Sequence, residues 1–144
     1  MMFAIFAEIS VRKVNFTLRM KPRFFTTAAA FRSWLEKNHE NKSELIVGFY
    51  KVGSGRKSMT WPESVDQALC FGWIDGVRKS IDDVSHSNRF TPRKPGSNWS
   101  AININKVAEL TKQGLMHPAG IAAFEKRLEH KSRIYAYEND PSKL

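Results

Sequence analysis

Residues 60–72, TWPESVDQALCFG, constrain the fold more than any other stretch of the chain. The Thr60 hydroxyl can accept from the amide three residues on, while Glu63 reaches back to the Thr60 amide and Pro62 suits a first helical turn. Val65, Ala68 and Leu69 then form an apolar stripe at helical spacing. Gly72 can take the left-handed conformation that closes a helix. Directly afterwards the period changes. Residues 73–81 and 86–92 alternate like two strands of a hairpin, with Asp82 and Asp83 at its turn.

The flanking segments extend this pattern. After a Thr26–Thr27 cap, Phe31, Trp34, Leu35 and Asn38 lie on one face of a helix that runs to about Glu40. Residues 44–51, ELIVGFYK, are apolar on both parities, as in a strand central in its sheet. VGSGRKS follows as a turn, with a short extended segment fitting around Lys57–Met59. Ser100 caps a helix carrying Ile104, Val107 and Ala108 and closing at Gly114. Pro118 opens a last helix with Ile121, Phe124 and Leu128 at helical spacing. The order helix, strand, helix, hairpin, helix, helix is that of an α+β domain, a small antiparallel sheet flanked by helices.

With 144 residues, the chain has room for one domain of the usual ~150. Hydrophobic residues make up 42%, enough apolar surface to exclude disordered and fibrous classes. A single cysteine, Cys70, excludes a disulfide framework, and the four histidines have no metal-ligand spacing. No metal or cofactor is therefore expected, and no dinucleotide, phosphate-loop, nucleophile-elbow or zinc-helix motif occurs. No apolar run is long enough to span a membrane. The N-terminal stretch lacks a charged start and is interrupted by Glu8, which points to a cytoplasmic protein. Residues 1–19 read as an extension, with Met20 as the natural start of the domain over 20–144.

The formal net charge of +9 favours anionic partners such as nucleic acid, phosphorylated metabolites or lipid headgroups, although lysines that merely solvate the surface would give the same figure. Two stretches concentrate chemistry. On a strand, Trp73, Asp75, Val77, Lys79 and Ile81 share one face, and a carboxylate there must be paired or serve a ligand, unless Gly76 bulges the strand and turns Asp75 outward. Residues 89–100, RFTPRKPGSNWS, set Arg89, Arg93 and Lys94 beside Phe90 and Trp99 in a loop shaped by glycine and proline. Guanidinium forks bind phosphate or carboxylate, and an indole offers a stacking face. The candidate site is Trp73, Asp75, Arg89, Arg93 and Trp99, with Lys79, Lys94 and Asn103 nearby. Arg89 and Arg93 would grip an anion, Trp99 would stack, and Asp75 would orient an arginine or accept from the ligand.

Basic residues interleaved with aromatics also suit sequence-tolerant binding of single-stranded nucleic acid. A third reading is an enzyme using Asp75 or Cys70, with His86 as a base. The alternative for Cys70 is a small buried hydrophobe.

FRSWLEKNH (31–39), ALCFGWIDG (68–76), RFTPRKPGSNWSAIN (89–103) and LMHPAG (115–120) resemble the YdeI/OmpD-associated, or bacteriocin-protection, family. The resemblance covers roughly residues 22–140. It implies a YjbR/CyaY-like architecture and a non-enzymatic binding role linked to envelope stress or resistance to cationic peptides and bacteriocins. Members of that family usually continue past the YENDPSKL region into a helical segment that this chain lacks. The shortened end would expose apolar surface and favour a homodimer. The partner is an anionic small molecule or a protein.

Overall fold

The computed structural model describes residues 21–128 and 132. The extension over 1–19, Met20 and the YENDPSKL stretch lie outside the described residues. Each helix begins where a side chain can take up an amide that the helix itself leaves unpaired. Thr27 accepts from the Ala30 amide at 3.1 Å and opens α1, Ala28–Asn38. Thr60 and Glu63 form the reciprocal capping box of α2, Trp61–Cys70. Ser100 accepts from the Asn103 amide at 3.0 Å to start α3, Ala101–Lys112. The fourth cap is a histidine: His117 Nδ1 accepts from the Ala119 amide at 3.1 Å ahead of α4, Pro118–Glu125.

The strands are β1, Arg23–Phe24, β2, Leu45–Tyr50, β3, Trp73–Asp82, and β4, Ser85–Pro92, in the spatial order β1-β2-β4-β3. β2 lies inside the sheet, consistent with its apolar residues on both parities. The fold is α+β, but the sheet is mixed and not antiparallel throughout, because β1 pairs parallel to β2. Parallel neighbours need a crossover, which α1 supplies. A two-residue strand has no period to read, so the sequence carries little sign of it. The segment around Lys57–Met59 forms no strand; Met59 is buried and its amide donates to the Phe25 carbonyl at 2.9 Å.

One sheet face carries Leu45, Val47 and Phe49 beside Phe90, Asn88 and His86, with Trp73 and Asp75 on β3. α1 packs on this face through Phe31 against Phe90 and Trp34 against Trp73, both edge-to-face. The register of β3 slips between Asp75 and Arg78, so beyond Gly76 it is Arg78 and Ser80 that lie opposite Asn88 and His86. The shared face expected from Trp73 through Ile81 therefore ends at Asp75. Lys79 pairs with Ser87 on the other face, and Val77 is 63% exposed.

α4 also departs from expectation. Ile121 and Leu128 point to solvent, while Gly120 is buried. The helix docks on the end of α2 through small residues: a Cβ on Gly120 would sit 2.1 Å from the Cys70 carbonyl oxygen. The His117 amide donates to that same carbonyl at 3.0 Å. Gly72 closes α2 at φ +75°, and a Cβ there would meet Ala123 Cβ at 2.9 Å. Among the described residues no helix is long and apolar enough to cross a membrane.

Candidate functional site

The 93–99 loop is shaped by its own hydrogen bonds and by one buried ring. The Arg93 amide donates to the Gly72 carbonyl at 2.8 Å, tying the loop to the end of α2. Trp99 is buried at 1% exposure and packs edge-to-face on Phe124 of α4. The Arg93 guanidinium lies 4.0 Å above the Trp99 ring and donates through Nη1 to the Asn98 carbonyl at 2.7 Å. Burial pulls Arg93 down to about 10, while the Asp75 carboxylate acts to hold it up. It stays charged at neutral pH, and its Nε is buried with no partner among the described residues.

Two hollows flank this loop and share Lys94. The larger, of about 720 Å³, is lined by Ser43, Ile74, Arg89, Thr91, Lys94 and Ser97. The smaller, of about 290 Å³, is lined by Gly72, Arg93, Lys94 and Lys126 with the small residues of α4. Among the described residues no carboxylate lines either hollow. Arg89 is nevertheless engaged from outside: its Nε and Nη2 donate to Glu44 Oε2 at 3.1 and 2.7 Å. The larger hollow thus combines one paired arginine, one lysine with no ion pair among the described residues and three hydroxyls, a donor set suited to anionic oxygens.

Of the residues expected at the site, the fold brings together Arg89, Arg93 and Lys94. Trp99 supports Arg93 from within the core and Trp73 is buried against Trp34, so neither ring lines a hollow. Asp75 accepts from Trp61 Nε1 at 3.1 Å. Lys79 is exposed on the other sheet face, and Asn103 sits in the first turn of α3 with its amide on Ser100. Neither lines a hollow. Lys126 and the hydroxyls of Ser43, Thr91 and Ser97 are not legible in the sequence as one site, because the end of α4, the segment before β2, β4 and the 93–99 loop bring them together from distant parts of the chain. Cys70 is 0% exposed, and burial pushes its thiol up. His86 stacks on Phe49 at 5.3 Å.

The model of one family, described as a domain of unknown function (DUF8412), matches residues 23–123, the span from β1 into α4. No curated protein and no solved structure matches the chain.

Proposed function

The chain belongs to this family of unknown function, and we propose that it is a non-enzymatic binding domain whose hollows around Lys94 take an anionic small molecule or an anionic group of a protein partner. The observation that carries this reading is the convergence of Arg89, Arg93, Lys94 and Lys126 on two adjoining hollows with no carboxylate among their lining residues. Pre-placed donors in a concave site recognise oxyanions without needing a reactive group. The resemblance to YdeI/OmpD-associated proteins and their YjbR/CyaY-like architecture belongs to the same proposal and supports a role in envelope stress. A cationic peptide would be repelled by this surface, so resistance to such peptides would work through an anionic ligand.

The other readings find less support. Nucleic-acid binding through the 89–100 loop needs exposed rings, yet Phe90 and Trp99 are 0% and 1% exposed. Catalysis by Cys70 needs an accessible thiolate, which burial disfavours. Calorimetric titration with pyrophosphate and citrate tests the proposal. Lys94→Ala is expected to weaken binding about tenfold, the loss of one charge-assisted contact. Unchanged affinity in Lys94→Ala, or no binding of either anion to the unmodified protein, would overturn it.

A further inference from the structure

At the opposite end of the sheet lies a second basic pocket, of about 560 Å³, between the 51–60 loop, the start of α2 and the β3–β4 hairpin. Its cations are Lys51, Arg56, Lys57 and Arg78, and none of them forms an ion pair among the described residues. The acids of this neighbourhood are held elsewhere. Glu63 is bound in the capping box, Asp82 accepts from the Val84 amide and Ser85 hydroxyl, and Asp75 accepts from Trp61. Among the described residues no carboxylate lines the pocket; Glu63 and Asp82 act on Lys57 and Lys51 from outside it, and the four cations leave a net positive lining.

Aromatic rings complete it. Trp61 is 45% exposed, and its indole N–H on Asp75 fixes the orientation of a ring that remains open to solvent. Tyr50 is stacked on Phe24 at 4.3 Å, with the Arg56 guanidinium 5.1 Å from its centroid. His86 forms part of the lining, and neither of its ring nitrogens has a partner among the described residues. Fixed rings beside unpaired cations are the two parts of a site for single strands, where bases stack and phosphates meet the charges. A duplex hides its base faces and offers no use for Trp61.

We propose that this pocket binds nucleotide units of single-stranded nucleic acid, with a base on Trp61 and the adjoining phosphates on Lys51, Arg56, Lys57 and Arg78. The site is separate from the hollows around Lys94 and stands whether or not those bind an anion. The chemistry it recognises is a nucleotide, which a free mononucleotide also carries.

The test is fluorescence anisotropy of a labelled oligothymidine of about ten nucleotides, titrated with the full chain between about 50 and 200 mM salt. Four neutralised phosphates predict a slope of log affinity against log salt of about −3. Trp61→Ala is expected to weaken binding about tenfold and Trp61→Phe much less, since phenylalanine keeps a stacking face. Arg56→Ala with Arg78→Ala should flatten the salt slope by about 1.4, while Lys94→Ala should leave binding unchanged. Thermal melts of each variant separate lost binding from lost folding. Uridine monophosphate that displaces the oligothymidine at equal nucleotide concentration supports the site with the free nucleotide as its ligand; displacement only by longer strands supports it with the strand. Equal affinity for a duplex, indifference to Trp61→Ala in a folded variant, or equal weakening by Lys94→Ala would overturn the proposal.

Discussion

The two ends of the sheet are both basic, yet they reach that state by opposite routes. Around Lys94 the arginines are engaged. Arg89 is held by Glu44, and Arg93 is spent on the Asn98 carbonyl and the face of Trp99. Around Trp61 it is the acids that are engaged, in a helix cap, a hairpin turn and an indole hydrogen bond, and the cations form no ion pair among the described residues. The first arrangement fixes donor geometry at the expense of free charge. The second leaves charge free and fixes only the aromatic ring. A small anion needs the former; a flexible polyanion is served by the latter.

The ends also differ in how they are assembled. The Trp61 end is built mostly from segments close in sequence, residues 50–61 and the hairpin. At the Lys94 end the smaller hollow, with Arg93 and Lys126, exists only because α4 docks on α2 through Gly120 and Gly72. Gly120→Val should therefore have the largest effect of any single substitution: its side chain would clash with the Cys70 carbonyl. A loss of about 3 kcal/mol is expected from overpacking a backbone contact, measured by urea unfolding. In the fraction that remains folded, pyrophosphate binding should fall while oligothymidine binding persists. Joint loss of both in a folded variant would break the contrast in assembly.

Thr60→Ala acts at the other end. It removes the cap that sets the first turn of α2 beneath Trp61, and should cost about 1 kcal/mol in the same unfolding experiment. Pyrophosphate affinity should be unaffected.

Acid should loosen the Lys94 end. His117 Nδ1 accepts the Ala119 amide, so protonation removes the cap of α4. Burial, together with the neighbouring His39 ring and the Arg32 guanidinium, holds His117 below the usual histidine range, against a smaller opposing pull from Glu36 and Glu40. The unfolded chain takes up a proton near pH 6.5, before the folded one does. The stabilisation from neutral His117 is therefore present above about pH 6.5 and lost as pH falls through the lower folded value. His86, pushed down by burial and by Arg78 and Lys51, adds to the same slope. Thermal melts from pH 7.5 downward should show it, and His117→Asn, which keeps a capping acceptor without a charge change, should flatten it.

The smallest expected change sharpens the comparison directly. Glu44→Gln releases Arg89 from its carboxylate and makes the Lys94 end resemble the Trp61 end. Pyrophosphate should bind about two- to fivefold more tightly, the scale of an exposed pair of roughly 0.5–1 kcal/mol. Weaker binding would mean that Glu44 serves to aim Arg89 rather than to occupy it.

Much of this architecture was legible because it is local. Thr27, Thr60 and Ser100 cap the helices that their positions suggest, and Gly72 and Gly114 follow helices at positive φ. The hairpin turns at Asp83 and Val84, one residue beyond the expected Asp82–Asp83 pair, and Asp82 closes the ladder opposite Ser85. Four things were not legible. β1 is too short to have a period. The slip after Asp75 moved Lys79 to the other face, although Gly76 marked where it could occur. The dense motif block suggested a site around Trp73 and Asp75, but large rings near charges serve a core as readily as a ligand. Trp73 and Trp99 went to the core. The Trp61 pocket leaves little trace in the sequence, because 52–58 reads as a turn and Trp61 as a residue of a capped helix, and both readings are correct. The available signal was Arg56 and Lys57 so close to a tryptophan at a helix start.

By itself the sequence determined the helices, the hairpin and the sign of the charge. Caps, left-handed glycines, residue period and net charge act within a few residues or add over the whole chain. The tertiary structure alone decided the parallel partner of β2, the docking of α4 by glycine and the division of charged groups between paired and unpaired. Those outcomes depend on which backbone comes within contact of which, over separations that no local pattern encodes. Glu44 meets Arg89 from 45 residues away, and that pairing separates one end of the sheet from the other.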